Sequence, residues 1–124
     1  MRVVDTSLWV EYLADGALAD RAERCIEPLE TCIVPAMVHY ELAKWSLRNA
    51  DGKHPNPALA ILTECSNAAM DTIIATDAAA LSFEHKLHTT DAIIYATARL
   101  HNAPLFTCDA HFKGLPGVEY FEKA

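Results

Sequence analysis

The sequence predicts an α/β fold, namely a three-layer α/β/α sandwich built around a short parallel sheet. Two features of the 124-residue chain indicate this architecture. Short apolar runs alternate with longer stretches of helical periodicity, which is the order expected when crossover helices join parallel strands. The runs are apolar throughout and not alternately polar, as is typical of strands that helices cover on both faces.

The predicted strands are short, and the first of them ends at an acidic residue. Val3 and Val4 directly precede Asp5, and the run from Thr31 to Val34 forms a second strand. Further strands are predicted at 72–75 and 105–107, with a candidate fifth strand at 118–121. Because ligands of open parallel sheets bind beyond the carboxyl ends of the strands, the residues after these runs are candidates for a functional site.

The predicted helices fill the intervals between the strands. Two helices, at 7–13 and about 17–28, are separated near Gly16. The remaining helices are predicted at 36–48, 57–67, 77–87 and 90–102, and the last two are separated near His88. The segment 49–57 is rich in Asn, Gly and Pro and is predicted to be a surface loop.

The composition favours one folded domain over residues 1–124. Hydrophobic residues make up 52% of the chain and charged residues 22%, which is too much apolar surface for a disordered protein. The apolar runs are too short for a transmembrane helix, and Asp5 interrupts the run that a signal peptide would need. The four cysteines lack the spacing of a zinc site or a redox pair. We therefore expect a cytoplasmic protein with reduced thiols and no membrane partner.

The net charge argues against simple electrostatic binding of nucleic acid. The chain has 10 basic and 17 acidic residues, a net charge of −7, and no basic stripe. The charge therefore gives no sign of strong non-specific binding to a phosphate backbone, and a nucleic-acid partner would have to be attracted by something other than net charge. Bound divalent cations are one candidate for attracting nucleic acid, and a basic protein partner would also suit this surface.

Four acidic residues lie at positions typical of a ligand site. Asp5 ends the first strand, and Asp109 lies two residues beyond the strand at 105–107. Asp91 is in the first turn of the last predicted helix, where the helix dipole favours its anionic form. Glu41 is on the shoulder of the apolar stripe of its helix, where partial desolvation is unfavourable unless a cation or a donor compensates it.

Each of these acids also has an ordinary structural interpretation. Asp91 and Asp109 would serve as helix caps, and Glu41 would extend to solvent or pair with Lys44 or Arg48. Their joint placement is more informative, because four separate segments bring acids to one edge of the predicted sheet. At 4 Å each pair of carboxylates repels by about 4 kcal/mol in a medium of effective dielectric near 20. Protonation or a hard divalent cation relieves this repulsion, and oxygen-only ligands select Mg²⁺ or Mn²⁺ over zinc.

Four stretches of the sequence carry a resemblance to a known family. They are V-V-D-T-S-L-W-V-E-Y-L from Val3, Y-E-L-A-K-W from Tyr40, T-T-D-A-I-I-Y-A-T-A from Thr89, and L-F-T-C-D-A-H-F from Leu105. In this order and spacing they resemble PIN domains, and the chain is similar to VapC toxins, the ribonucleases of type II toxin–antitoxin pairs. The resemblance covers residues 2 to about 121 and implies a PIN-like form of the predicted fold.

The resemblance also implies a site and a reaction. It implies that the metal-binding and catalytic residues are Asp5, Glu41, Asp91 and Asp109, with Mg²⁺ as the cofactor and Mn²⁺ as a substitute. It further implies that Thr6, Ser7 and Thr107 hydrogen-bond to these acids. The expected reaction is metal-assisted hydrolysis of RNA that leaves a 5′-phosphate and a 3′-hydroxyl.

His111 departs from the pattern of the family. Many family members carry a further acid at this position, in D-x-D-F, whereas this chain has D-A-H-F. His111 is expected to be solvated or part of a helix start, with a contact to phosphate as the alternative. The number of metal ions, one or two, therefore stays open.

The expected partners follow from the same resemblance. They are an RNA substrate, a cognate VapB-like antitoxin and a second copy of the chain in a homodimer. Lys44 and Lys113 are the basic residues that we expect to contact RNA. Two alternatives stay open: a PIN nuclease of RNA processing that is not a toxin, and a catalytically degenerate module that only binds RNA or protein.

Overall fold

The computed structural model describes residues 1–123 and contains a five-stranded sheet in which every pairing is parallel. The strands are β1 Arg2–Val4, β2 Cys32–Pro35, β3 Ser66–Ala68, β4 Leu105–Thr107 and β5 Val118–Tyr120. Their order across the sheet is β3-β2-β1-β4-β5. The predicted α/β/α fold with a short parallel sheet is confirmed.

Five α-helices accompany the sheet in the described part of the chain. They are α1 Thr6–Leu13, α2 Ala19–Ile26, α3 Ala36–Arg48, α4 Thr72–His85 and α5 Thr89–Leu100. Short 3₁₀ segments occur at Leu29–Thr31, Pro57–Glu64 and Ala110–Phe112. None of the helices in residues 1–123 is long and apolar enough to cross a membrane.

The strand predicted at 72–75 is wrong, because these residues form the first turn of α4. Their β-branched side chains favour a strand, but the preceding residue overrides that preference. The side chain of Asp71 accepts a hydrogen bond from the backbone N–H of Ile74 at 2.9 Å and so caps the helix. Ile74 and Ala78, four residues apart, then bury the same helical face.

The third strand lies a few residues earlier, inside the segment predicted to be a helix at 57–67. That segment is a 3₁₀ helix over Pro57–Glu64, followed by β3. The strand reads Ser-Asn-Ala and lies at an edge of the sheet, where Asn67 is exposed. Because an edge strand need not be apolar, hydrophobic periodicity could not reveal it.

The central strand β1 positions the carboxyl edge of the sheet. Val3 pairs with Ile33 of β2 and with Leu105 of β4, and its side chain is fully buried. Asp5 follows β1 directly, so it lies between the carboxyl ends of β2 and β4. The helices α1 and α3 start at this edge, immediately after β1 and β2.

The helix α5 belongs to the interior of the protein. All seven residues from Ala92 to Ala98 are buried, including Tyr95, whose hydroxyl donates to the backbone carbonyl of Pro116 at 2.6 Å. Residue Asp91 lies one position before this buried stretch. The packing of α5 therefore fixes the position of the Asp91 backbone.

Candidate active site

Asp5 is a buried carboxylate held by hydroxyl groups from two elements. It is the N-cap of α1, and its residue surface is 3% exposed. The hydroxyls of Ser7 and Thr107 donate to its Oδ2 atom at 2.7 and 2.9 Å. The Ser7 hydroxyl also accepts from the backbone N–H of Cys108, and Thr107 accepts from that of Asp109. The network therefore ties the end of β1 to the end of β4.

Burial has the largest effect on the pKa of Asp5. It raises the pKa of this carboxyl from 3.8 to about 6, although the Ser7 and Thr107 hydrogen bonds act in the opposite direction. The negative charge of Asp109 raises the pKa further. The Asp5 carboxylate therefore binds its proton more tightly than a solvated aspartate does.

Glu41 is held by the first residue of a different helix. Its Oε1 atom accepts a hydrogen bond from the Thr6 hydroxyl at 2.7 Å, which joins α3 to the start of α1. Neither Lys44 nor Arg48 forms an ion pair with Glu41 among residues 1–123. The ordinary interpretation of Glu41 as half of an intrahelical ion pair is therefore wrong.

Asp91 faces the other acids from the first turn of α5. Its side chain is 13% exposed, and α5 is capped by His88 without any side-chain hydrogen bond, so Asp91 is not the cap. Burial raises the pKa of Asp91, and the charges of Asp109 and Glu41 raise it further. The nearby His111 side chain lowers the pKa of Asp91.

Asp109 occupies the loop after β4 and links the cluster together. It caps the 3₁₀ turn by accepting from the backbone N–H of His111 at 2.9 Å. Its charge raises the pKa of both Asp5 and Asp91, and Glu41 raises that of Asp91. The four predicted acids thus lie near enough at the carboxyl edge of the sheet for their charges to act on one another. Of the four, Asp91 and Asp109 are the pair whose oxygens lie, together with Nδ1 of His111, within 4.8 Å of one another.

The imidazole of His111 lies against two of these acids. Its Nδ1 atom is 3.3 Å from Oδ2 of Asp91 and 3.3 Å from Oδ1 of Asp109. The sequence predicted His111 to be solvated or part of a helix start, with a contact to phosphate as the alternative. His111 does lie in the 3₁₀ turn Ala110–Phe112, but its contact with the two acids was not predicted. Two signals pointed to it: His111 lies two residues after Asp109, at the position where the family pattern has a further acid.

The three predicted hydrogen-bonding residues and the two predicted lysines differ in their placement. Ser7 and Thr107 contact Asp5, and Thr6 contacts Glu41. Lys44 and Lys113 are exposed and lie over tyrosine rings, at 5.8 and 5.5 Å from the centroids. In the described chain neither lysine forms an ion pair with an acid of the site.

The donor atoms of this cluster suit a divalent cation. Four carboxylates converge, yet no lysine or arginine of residues 1–123 forms an ion pair with any of them. Asp91, Asp109 and His111 offer three donor atoms that all lie within 4.8 Å of one another. Carboxylate oxygens are the ligands that Mg²⁺ and Mn²⁺ prefer, so these residues fit such an ion.

The family comparison agrees with the fold and with the position of the site. Residues 2–118 match the model of the PIN domain. The chain belongs to the PIN domain family. The match includes all four acids of the cluster and places this protein among the PIN nucleases.

Solved structures similar to this PIN domain come from toxin–antitoxin systems. A chain of a toxin–antitoxin complex from Klebsiella pneumoniae is 25% identical with a TM-score of 0.83, and the match covers 98% of this chain and 99% of that one. VapBC2 from Rickettsia felis, bound to a promoter DNA fragment, matches with 18% identity, a TM-score of 0.74 and 98% coverage of both chains.

A third similar structure is VapC20 from Mycobacterium tuberculosis, described as a toxin that cleaves the sarcin–ricin loop. Its identity is 16% and its TM-score is 0.68, with coverage of 99% of this chain and 91% of that one. No curated protein matches the chain by sequence. The resemblance to PIN domains, indicated by four sequence stretches, is confirmed by the family match, and these neighbours share the fold.

Proposed function

We propose that this PIN domain is a metal-dependent endoribonuclease toxin of VapC type. It would hydrolyse RNA phosphodiester bonds and be neutralised by a cognate VapB-like antitoxin. The observation that supports this proposal most directly is the convergence of Asp5, Glu41, Asp91 and Asp109 without a paired lysine or arginine among the described residues. A cluster of this kind is suited to holding a cation that in turn binds phosphate.

In this proposal the four acids hold Mg²⁺, with Mn²⁺ as a substitute. The bound ion would supply a water of lowered pKa and stabilise the negative charge that develops on the phosphate oxygens. Every hydrogen bond that Asp5 receives goes to Oδ2, which leaves Oδ1 for a ligand. Glu41 likewise accepts from Thr6 through Oε1 and keeps Oε2.

The hydroxyl groups act by holding the acids in position. Ser7 and Thr107 each donate to Asp5 and accept from a backbone N–H of the next loop, so their own rotation is restricted. Thr6, the first residue of α1, donates a hydrogen bond to Glu41. Such outer contacts orient ligand oxygens before an ion arrives, which lowers the free-energy cost of binding it.

A proton competes with the ion at Asp5. Because the pKa of this buried carboxyl is about 6, part of the population carries the proton at neutral pH and most of it does at pH 5. Cation binding requires the ionised form and releases that proton. We therefore expect the affinity for the ion, and with it cleavage at sub-saturating ion concentration, to decrease as the pH falls through about 6.

The proposed partners follow from the charge of the chain and from its neighbours. The net charge of −7 favours a basic side chain of an antitoxin that enters the acidic cluster. The Klebsiella pneumoniae neighbour is a toxin–antitoxin complex, which supports an antitoxin partner here. The apolar side chains of Ile73 and Phe83 on α4 are 59% and 91% exposed, which suits contact with a second copy in a homodimer.

Two further expectations remain part of the proposal. Residues 1–124 would form a single domain that acts in the cytoplasm. Lys44 and Lys113 would contact the RNA backbone after the cation has attracted it. Both are exposed: Lys44 shares α3 with Glu41, and Lys113 follows the 3₁₀ turn that Asp109 caps.

Incubation of the purified protein with total RNA and Mg²⁺, followed by sequencing of the new ends, tests the nuclease. We expect discrete cuts that bear 5′-phosphates and that disappear with EDTA or in Asp5→Asn. Asp77→Asn, an exposed change in α4, is the matched control and should still cleave. Cutting that persists in Asp5→Asn and in EDTA would overturn the mechanism.

Co-expression with an adjacent antitoxin gene tests the toxin assignment. We expect growth arrest when the chain is expressed alone, rescue by the antitoxin, and no arrest with Asp5→Asn. An active nuclease that does not slow growth would instead favour a PIN nuclease of RNA processing. A folded protein without cleavage in any divalent metal would favour a binding module.

A further inference from the structure

His111 is the nitrogen donor nearest to the acidic cluster. Its Nδ1 atom is 3.3 Å from an oxygen of Asp91 and 3.3 Å from an oxygen of Asp109. These three donor atoms belong to two segments, the start of α5 and the turn after β4. Unlike the buried oxygens of Asp5, the His111 side chain is 59% exposed, so water and a phosphate oxygen can reach this part of the site.

The two 3.3 Å separations are longer than a strong ionic hydrogen bond. A charged N–H donor lies about 2.7–2.9 Å from a carboxylate oxygen when it binds it directly. Two protein atoms that share one cation at about 2.1 Å from it lie about 3.0–3.4 Å apart. The observed 3.3 Å spacing of Nδ1 from each oxygen falls within the range expected for neighbouring ligands around one ion.

The backbone and a second histidine hold the imidazole in this place. The His111 backbone N–H donates to Asp109, which fixes the residue relative to one carboxylate. The ring of His88 lies edge-on to the ring of His111 with 5.3 Å between the centroids. The imidazole is thus supported from its own turn and from the start of α5.

A nitrogen donor changes which ion the cluster prefers. Mg²⁺ demands oxygen ligands and retains its waters, whereas Mn²⁺ and the later transition metals accept imidazole more readily. An aspartate in the same place would add an oxygen and one more negative charge, and would favour Mg²⁺. The sequence D-A-H-F therefore alters the chemistry of the site, not only its charge.

We propose that His111 is a metal ligand alongside Asp91 and Asp109, and that it shifts the preference of this site from Mg²⁺ toward Mn²⁺ and other transition-metal ions. The inference rests on the proposed function, because it concerns the ion of the same site. It adds a ligand that the family pattern does not supply, and it names the class of cofactor that this chain selects.

Pulsed electron paramagnetic resonance of Mn²⁺ bound to the protein tests the ligand directly. We expect ¹⁴N modulation from one imidazole in the wild type and in His88→Gln, and none in His111→Gln or His111→Asp. Competition calorimetry tests the preference. The ratio of Mn²⁺ to Mg²⁺ affinity should fall by about tenfold or more in His111→Asp relative to the wild type.

The possible outcomes separate this inference from the proposed function. Mn²⁺ binding without ¹⁴N modulation would overturn the role of His111 and leave the metal-dependent nuclease standing. Modulation that vanishes in His88→Gln and persists in His111→Gln would identify His88 as the ligand in place of His111, and would overturn the inference. A folded wild type that binds neither ion would overturn the proposed metal dependence itself, and the inference with it. Circular dichroism of each variant confirms that it is folded.

Discussion

The hydroxyl of Thr107, the last residue of β4, donates a hydrogen bond to the carboxylate of Asp5 at 2.9 Å across 102 positions of sequence. Thr107 is fully buried and Asp5 nearly so. A hydrogen bond to a charged group in such surroundings is stronger than an exposed one, because water does not compete for it. This contact therefore connects the stability of the sheet with the ionisation of the candidate active site.

Thr107→Val removes that donor and keeps the shape of the side chain. We expect a loss of about 2 kcal/mol in the free energy of unfolding, because Asp5 loses a buried partner. The pKa of Asp5 should rise further, so that Mn²⁺ binding requires a higher pH. Urea unfolding and the pH midpoint of Mn²⁺ binding measure the two effects.

The matched control for this change is Thr97→Val in α5. The Thr97 hydroxyl is also buried and donates to the backbone carbonyl of Ile93 at 2.8 Å, away from the acids. It should alter stability without moving the pH midpoint of Mn²⁺ binding. A shift of the midpoint that is equal in both variants would contradict the role assigned to Thr107.

Asp5→Asn should stabilise the metal-free protein at neutral pH. The pKa of Asp5 is about 6 in the folded state and 3.8 as its usual value, so folding favours the protonated form. The contribution of Asp5 to the free energy of unfolding is fully favourable below pH 4 and is lost as the pH rises through about 6. The loss amounts to about 3 kcal/mol. Chemical unfolding of both proteins in EDTA at pH 4, 6 and 8 measures this.

The prediction concerns the difference in the free energy of unfolding between Asp5→Asn and the wild type. The advantage of Asp5→Asn should be small at pH 4 and should grow toward pH 8, where the wild type carries a buried charge. An advantage that is the same at every pH would show that Asp5 is not the residue with the raised pKa.

Thr6→Val should weaken metal binding more than it weakens the fold. The Thr6 hydroxyl donates to Glu41, and its loss frees that carboxylate to turn away from the site. We expect Mn²⁺ affinity to fall by about tenfold and stability to change by less than about 1 kcal/mol. Calorimetry on Thr6→Val and on Thr6→Ser, which keeps the donor, measures it. A Thr6→Ser variant as weak as Thr6→Val would argue against the hydrogen bond as the cause.

Gly16→Ala should destabilise the junction between α1 and α2. A Cβ atom at Gly16 would lie 2.7 Å from the carboxylate oxygens of Glu11. Glu11 is buried and accepts from the backbone N–H of Leu18, which also lowers its pKa, and its carboxylate is 3.3 Å from Lys123. Moving it breaks these contacts, so we expect a loss of about 1–3 kcal/mol in urea unfolding.

A double-mutant cycle with Glu11→Ala identifies the cause of that loss. In the Glu11→Ala background the clashing carboxylate is absent, so Gly16→Ala should then have little effect. Equal losses in both backgrounds would mean that the glycine is needed for another reason.

The acids at strand ends could be predicted from sequence because local rules place them. Asp5 directly follows the apolar pair of β1, and Asp109 follows β4 within two residues, so the geometry of a parallel sheet brings both to one edge. The position of Asp91 could be predicted from the start of α5 alone. Glu41 was harder, since its position depends on how α3 packs beside α1, but its unfavourable place near an apolar stripe was informative.

Other features depend on contacts that no local pattern encodes. The edge strand β3 has a polar sequence and forms because β2 offers a free edge, with Val34 paired to Asn67. The contact of His111 with Asp91 requires α5 to lie beside the turn after β4. Neither helical periodicity nor strand pairing relates these two elements. Charge alone could not distinguish that contact from a solvated histidine.

The pairing of Asp5 with Thr107 also has a consequence during synthesis of the protein. Asp5 is made before Thr107, Asp109 and His111, which are added only after α5 is complete. A translation product that stops before β4 lacks both the hydroxyl partner of Asp5 and one of the four acids. Truncated chains therefore carry an incomplete site, and the four acids can come together only after β4 and the turn that follows it have been joined.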